Sequence, residues 1–475
     1  MMIKSHALDK KLILLLAVLL AVGAFLRFFR FEQFVMFLGD QGRDAIILKR
    51  IITLEHLPAV GPPSSIGEVY LGPFYYYFIA PWLLLFNFNP VGPAVGVGIF
   101  SCLYIIVNFL IVKELVNERV ALFSSILTAF SATLINLSRF SWNPNLLPLF
   151  SLVTTYFFLK ATKTNRLRFY LLTSIFLSFT IQLHYLSLLL IPPYILFFTY
   201  NRKNHLNLKN LLFGLTVFIV ISFPLIYFDL RHSFINTNNL FNLLSQHNNF
   251  SQNKILSFFN IVQTLFSYLF NLKIPLLISS ILFILSVISF FLLKKSREVI
   301  LFFILIYLYL LGISFYKELK SAHYFGVIYP FCFIVMAYYL DQIKKVKIIF
   351  TIFFIMLFIY LNGRGYQFLF NQGYSQINKA QKVAKVIKNN NAQKDYTLIS
   401  LPESSSDAQY RYFLEIWGHK PIDREILKKT NELFIACEHP CQTIGNPQWD
   451  IALFAPTKVD QTWKVEGVTI YKLSH

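Results

Sequence analysis

Apolar runs of about 15 to 20 residues recur along the first three quarters of the chain. They lie near 12–26, 93–112, 120–137, 145–160, 169–184, 186–200, 211–228, 274–293, 299–316, 322–340 and 347–362. As helices, each is long enough to cross, or nearly cross, a hydrocarbon core about 30 Å thick. Short basic turns fall between alternate runs: Lys113 to Arg119, Lys160 to Arg168, Arg202 to Lys209, Lys294 to Arg297 and Lys344 to Lys347. With one span before residue 40, all five turns face the cytoplasm as the positive-inside rule requires, provided that Tyr70–Phe88 does not cross. The prolines around that stretch (Pro73, Pro81, Pro90) and its five aromatics in a row suit a membrane interface, so it reads as a juxtamembrane or re-entrant segment. The pattern predicts eleven spans, the N-terminus inside and the C-terminus outside.

The pattern changes near Gly363. Residues 376–390 read as an amphipathic helix, 396–401 as a strand, 407–418 as a helix, and 431–436, 450–454 and 466–472 as strands. The chain therefore divides into an α-helical polytopic membrane domain, 1–362, whose first outer loop is 29–92 with interfacial juxtamembrane helices, and a small extracytoplasmic α/β domain, 363–475. At the other end, Lys4, Lys10 and Lys11 precede the first run, and Ala21-Val22-Gly23-Ala24 faintly resembles a signal cleavage site. With ten runs downstream, an uncleaved anchor is the better reading.

Composition agrees. Hydrophobic residues make up 56% of the 475 and charged residues only 14%, where a soluble domain has about 25% charged; mean hydropathy is +0.56. The net charge of +20 could suggest a nucleic-acid partner, but the basic residues cluster in the short turns, so the charge reports orientation. Cys102 and Cys332 sit in apolar runs as small core residues. Cys437 and Cys441 flank Glu438-His439-Pro440 and read as a disulfide if the tail is outside, or else as part of a metal site.

No ionisable residue lies deep in the later spans, which argues against a coupled transporter, since such proteins keep charges at mid-depth for ion or proton pathways. The outer ends are rich in them. Phe37-Leu38-Gly39-Asp40-Gln41-Gly42-Arg43-Asp44 follows the first span; read as helix, it sets Asp40 and Asp44 four residues apart on one face with Arg43 beside them. Ser138-Arg139-Phe140-Ser141-Trp142-Asn143-Pro144-Asn145 forms an outer turn, where Arg139 with the amides of Asn143 and Asn145 could hold a sugar or phosphate, or could anchor a helix end. Gln182-Leu183-His184-Tyr185 lies at the next outer turn, and Phe228-Asp229-Leu230-Arg231-His232 opens another. His323-Tyr324-Phe325 begins a later span, with Lys317 and Lys320 just before it. Singly each of these is weak; together they converge on one face.

The constellation resembles the GT-C membrane glycosyltransferases, in particular the protein O-mannosyltransferase and aminoarabinose transferase (family 39-like) group, over roughly residues 10–345. Gly39-Asp40-Gln41-Gly42-Arg43-Asp44 carries the resemblance most specifically, and Leu71-Gly72-Pro73-Phe74-Tyr75-Tyr76-Tyr77 supports it. The resemblance implies a polyprenyl-phosphate sugar donor, transfer on the outer face and inversion at the anomeric carbon. The family's first-loop aspartate falls on Asp40; many members follow it with glutamate, where this chain has Gln41.

The chemistry such a donor demands fits the same residues. A lipid-phosphate sugar carries its own leaving group, so the protein needs a base for the acceptor and cations for the departing phosphate. Asp40, with Asp44, is the candidate base. Arg43, Arg139, Arg231, His232 and His323 are candidates for the phosphate. Tyr75, Tyr76, Asn143, Asn145, His184, Tyr185, Asp229 and Tyr324 are candidate substrate contacts. No cofactor is required; a divalent metal is compatible with the scheme but not indicated by any ligand spacing. The partners expected are the donor, membrane lipid and a protein, lipid or glycan acceptor. Two rival readings are a lipid-linked glycan flippase, which would show charged cavity-lining residues and paired halves, and a surface-polysaccharide ligase or polymerase, for which only the 229–273 loop speaks.

Overall fold

A computed structural model describes residues 9–64, 69–200, 207–246, 254–315, 320–342, 348–393, 395–402, 405–423 and 430–475. Lys4 and Lys317 lie outside the described residues, as do most of the basic turns at 202–209 and 344–347.

Helices dominate. The chain begins with α1 (Lys10–Phe28), the short α2 (Phe31–Phe34) and α3 (Gly39–Ile52), then α4 (Phe74–Leu85), α5 (Val91–Leu115), α6 (Glu118–Phe130) and α7 (Ala132–Leu137). A 3-10 turn at Asn143–Leu146 leads into α8 (Leu147–Thr164) and α9 (Leu167–Leu183), and a second at Tyr185–Leu190 into α10 (Ile191–Tyr200). Next come α11 (Leu208–Arg231), α12 (Ile235–Gln246), α13 (Lys254–Phe270), α14 (Leu276–Leu292) and α15 (Arg297–Ser314). A turn at Ala322–Phe325 precedes α16 (Tyr329–Gln342), α17 (Ile348–Gly363) and the short α18 (Gln367–Phe370). The tail comprises α19 (Gln376–Asn390), β1 (Thr397–Leu401), α20 (Ala408–Ile416), β2 (Leu433–Cys437), α21 (Trp449–Phe454), β3 (Lys458–Val465) and β4 (Val468–Ser474). Among the described residues α1, α5, α11 and α15 are long and apolar enough to cross a membrane unaided; six other apolar helices are shorter.

Two departures from the hydrophobic pattern concern the bundle. The run 120–137 is broken at Ser131, whose hydroxyl caps α7 by accepting from the Leu134 N–H, while Asn362 accepts from the Ala132 N–H. The 229–273 stretch is not a long loop: it holds α12 and α13. In α13, Ile261, Val262, Leu265 and Leu269 face the core at helical spacing, and Phe258 packs edge-on against Phe283 of α14. Polar residues scattered through Asn236–Asn253 hide this from an apolar-run search.

The described basic turns gather at one end of the bundle. There Asn117 reaches Asp341, the Asn210 amide reaches the carbonyl of Asn165, and Tyr338 reaches the carbonyl of Lys294. The opposite end carries α3, the 141–145 and 184–190 turns and the tail. Both ends of α4 stay there: the Phe74 N–H donates to Gln182, and the Phe88 carbonyl beyond the helix accepts from Tyr412 of α20.

The tail is a four-stranded sheet in the order β1-β2-β4-β3, with β1 and β2 parallel and the other pairs antiparallel. Every residue of β2 is buried, because helices cover both faces. Phe434 and Ala436 pack with Val383, Ala384 and Ile387 of α19; Leu433 and Ile435 pack with Ile451 and Phe454 of α21. The 450–454 stretch, expected as a strand, is therefore α21: Ile451 and Phe454 stand three apart on one helical face, a spacing five residues cannot distinguish from a strand. β3 was not expected at all; it is an edge strand dominated by exposed polar residues. Cys437 and Cys441 are joined in a disulfide, which removes the thiolates that a metal site at this position would need.

Candidate functional site

α3 presents the acidic motif. Its first turn is closed by Gln41, whose side-chain oxygen accepts from the Leu38 N–H, so the residue that follows Asp40 is occupied in capping. Asp40, in that first turn, sits where the helix dipole favours a carboxylate. The Arg43 guanidinium bridges the two acids, with Nη1 3.0 Å from Asp40 Oδ1, and Nη2 2.9 Å and Nε 3.1 Å from Asp44 Oδ1. Tyr76 donates to that same Asp44 oxygen at 3.0 Å.

The two carboxylates differ sharply. The Asp44 side chain is 3% exposed and that of Asp40 49%. Burial pushes the Asp44 carboxyl above the usual carboxylate range, though Arg43 opposes the shift. Burial would lower Arg43, but Asp44, Tyr76 and Asp40 outweigh it and hold the guanidinium firmly protonated. Asp44 Oδ2 is buried with no hydrogen-bond partner.

Asp40 and Arg43 open onto a cavity of about 390 Å³. Across it stand Trp142, Asn143, His184, Tyr185, His323 and Tyr324, and Leu188, Leu189, Leu240 and Phe315 give it an apolar wall. The His323 ring stands 4.4 Å from Trp142, 4.3 Å from Tyr324 and 6.0 Å from His184, centroid to centroid. His184 Nδ1 accepts from the Leu186 N–H, which leaves Nε2 to carry the proton of the neutral ring. Asn143 donates to the Leu183 carbonyl at 2.7 Å and so ties the two turns together. At the rim, Asn236 accepts from the Tyr70 N–H and donates to the Tyr70 carbonyl and the Tyr185 hydroxyl. The residue-by-residue reading missed Asn236; nothing in its polar tract marks it.

Other expected site residues lie elsewhere. Arg139 is 4% exposed and donates to the carbonyls of Leu26, Arg27 and Phe29 at 2.7–3.2 Å, with its guanidinium 4.1 Å from the Phe368 ring. It satisfies the open C-terminal end of α1, where helical carbonyls lack partners. Arg27, unmarked by any motif, does the same for α6, donating to Thr128 and Ala129 carbonyls and to Ser101. Asn145 donates to the Phe140 carbonyl and Tyr75 hydrogen-bonds Ser141, both away from the cavity. Tyr76 lies behind it, on Asp44. Asp229 accepts from the Asn236 and Thr237 N–H groups and so starts α12. Arg231 is exposed with its guanidinium 5.8 Å from the Tyr227 ring, and exposed His232 stacks on Phe228 at 4.2 Å. These groups were expected at the cavity because side-chain direction at a helix end is invisible to spacing alone.

The same geometry predicts that Arg139→Gln lowers stability rather than substrate affinity. Losing hydrogen bonds from a charged donor, at about 1.5–3 kcal/mol each, should depress the melting temperature of the solubilised protein by several degrees. An unchanged melting temperature would contradict the helix-end role.

The tail packs directly on α3. A Cβ on Gly42 would stand 2.3 Å from the Gln409 backbone nitrogen, and one on Gly39 2.3 Å from Ser406 Cβ. Glu415 accepts from Arg50 at 2.8 and 3.0 Å and from Lys49 at 3.4 Å. The Gln376 side chain accepts from the Phe37 N–H at 2.7 Å. Thus α20 and α19 fix both the start and the middle of the helix that bears Asp40.

Comparison with known proteins fits this architecture. Residues 71–228 match the family described as dolichyl-phosphate-mannose-protein mannosyltransferase. The fold resembles the crystal structure of ArnT from Cupriavidus metallidurans, with a TM-score of 0.65 for both the apo form and the form bound to undecaprenyl phosphate. Identity is 12% and 13%, and 97% of this chain is covered in each, against 97% and 98% of those chains. The archaeal oligosaccharyltransferase AglB from Archaeoglobus fulgidus, solved with an inhibitory peptide and a dolichol-phosphate, aligns with a TM-score of 0.53 at 13% identity; the alignment covers 86% of this chain and 64% of that one. No curated protein sequence matches the chain. The mannosyltransferase-family match covers 71–228, a third of the chain, and the fold is shared with ArnT along nearly its whole length; both accord with the resemblance carried by the motifs.

Proposed function

We propose that the chain transfers one sugar from a polyprenyl-phosphate carrier to an acceptor on the extracytoplasmic face, inverting the anomeric carbon, with Asp40 as general base. The observation that carries this reading is the half-exposed Asp40 carboxylate facing a cavity that Arg43, His184 and His323 also line, beside the neutral polar groups of Asn143, Tyr185 and Tyr324 and a largely apolar wall. In the step, the acceptor oxygen bonds to the anomeric carbon from one face and its proton passes to Asp40. The bond from that carbon to the phosphate oxygen breaks on the other face, and its electron pair leaves with the polyprenyl phosphate.

Arg43, His184 and His323 are the cavity groups that can face the departing phosphate, by charge or hydrogen bonding. Arg139, Arg231 and His232 are withdrawn from that role by their positions. Asp44 serves by holding Arg43, not by touching substrate. Trp142, Tyr185 and Tyr324 offer ring faces and hydroxyls to a sugar. The 185–198 stretch, which lines this cavity, continues along a second, apolar cavity of about 670 Å³ between α8, α9, α10 and α11. That cavity suits the isoprenoid tail.

A polyprenyl-phosphate sugar of defined anomeric configuration tests the reading. The expected product carries the opposite configuration by NMR, with free polyprenyl phosphate released in equal amount; retained configuration overturns the inverting step. In the same assay His323→Ala should lower kcat by about 100-fold, the scale of one lost preorganised donor. Arg231→Ala and His232→Ala should stay within about twofold of wild type, as exposed substitutions away from the site do.

A further inference from the structure

A second polar groove lies on the tail, apart from the cavity at Asp40. It has a volume of about 350 Å³ and is lined by Gln381, Lys382, Lys385, Lys388 and Asn389 of α19 and by Trp417 at the end of α20. We propose that this groove binds an acidic saccharide, one carrying carboxylate or phosphate groups along its length.

Charge is the first argument. Residues 363–475 hold 14 Lys and Arg against 11 Asp and Glu, a surplus of three. α19 alone contributes four lysines (379, 382, 385 and 388) and no acid, so the domain's positive excess is concentrated on one helical face. Like charges three apart on a helix repel one another. Lys379 is matched by Glu438 and Lys382 by Glu466; among the described residues no carboxylate pairs with Lys385 or Lys388. Both unmatched ammonium groups line the groove with Trp417, and Lys388 stands 5.5 Å over the indole ring. The indole thus helps hold the Lys388 ammonium in the groove, where it can meet an anion.

Shape and surroundings select the class of ligand. A helix that lies on a lipid surface keeps an apolar face to insert between headgroups. The apolar face of α19 (Ala380, Val383, Ala384, Ile387) is already buried against the sheet and α20, so nothing is left to enter a bilayer. The groove is concave, and the side-chain amides of Gln381 and Asn389 flank the lysines. Amides match the hydroxyls of a sugar, the indole matches a ring's C–H face, and the lysines match its acidic substituents. An acidic peptide would meet the lysines and the amides but brings no sugar ring to the indole.

The inference stands independently of the transfer reaction, because its test measures binding and not turnover. The full-length protein in detergent is titrated with an oligogalacturonate and with a phosphorylated malto-oligosaccharide, followed by calorimetry. Neutral malto-oligosaccharide, an oligo-aspartate of equal charge and anionic phospholipid vesicles serve as comparisons. Binding of at least one acidic saccharide is expected, weakened at least tenfold in Lys385→Gln/Lys388→Gln and in Trp417→Ala, with the melting temperature of the double lysine variant unchanged. The proposal is overturned if neither acidic saccharide binds, if oligo-aspartate or vesicles bind as tightly as the saccharides, or if the lysine variant binds like wild type.

Discussion

Asp40→Asn is expected to lower the rate of sugar transfer by about a thousandfold, within the 10²–10⁴ range for a lost general base, while leaving the protein folded. The two halves of that expectation come from different atoms. The amide keeps the size and the hydrogen-bonding reach of the carboxylate but cannot take the acceptor's proton. The helix does not depend on it, because Arg43 remains held by two bonds to Asp44, which in turn keeps its bond from Tyr76. Single-turnover release of polyprenyl phosphate, measured beside a thermal melt, separates the two. A wild-type rate in a protein with a wild-type melt would remove Asp40 as the base.

The second large effect is expected far from any substrate contact. In Gly42→Ala the new methyl group meets the backbone nitrogen of Gln409 at 2.3 Å and the carbonyl carbon of Ala408 at 2.5 Å. Neither is a flexible side chain that could swing aside, so α20 or α3 must move. Overpacking of this kind costs about 1–3 kcal/mol, which a domain of this size survives. Catalysis is less tolerant, since a displacement of about 1 Å at a reacting group can cost about 100-fold in rate. The expected result is a kcat reduced by about two orders of magnitude with donor affinity nearly unchanged, because the cavity wall opposite Asp40 belongs to other elements. Glu415→Gln should fall the same way but by less, since Arg50 and Lys49 keep a neutral partner. A Gly42→Ala enzyme with normal kcat would show that α20 does not position α3.

How much of this was legible beforehand follows the reach of each signal. Apolar runs gave most of the bundle, because a run of fifteen apolar residues has few other uses. They failed at 229–273, where α13 alternates faces and α12 is polar, so neither makes an unbroken run. The tail helix at 376–390 was read correctly from its lysine-and-valine periodicity; α21 was not, because six residues fit either period. At the site, the Asp40–Arg43–Asp44 cluster could be read from spacing alone, since residues three and four apart on a helix must be neighbours. Arg139 and Asp229 could not be placed that way. Each sits at a helix end, and whether such a side chain turns toward a cavity or toward bare backbone groups is decided by elements more than a hundred residues distant for Arg139, and by the next helix for Asp229. Arg27 shows the same blindness from the other side: an arginine at the end of an apolar run looks like an interfacial anchor, yet it is fully buried among four acceptors.

The seating of α20 on α3 also bears on when activity can first arise. The helix bearing Asp40 is made before the surface that fixes it, which follows some 370 residues later along the sequence. A nascent chain that has inserted every span still lacks its brace, and such separated contacts form late in folding. On the reading proposed above, the site at Asp40 therefore stays unbraced until the tail folds onto α3, and a product that stops short of Ala408 would carry that helix without its support.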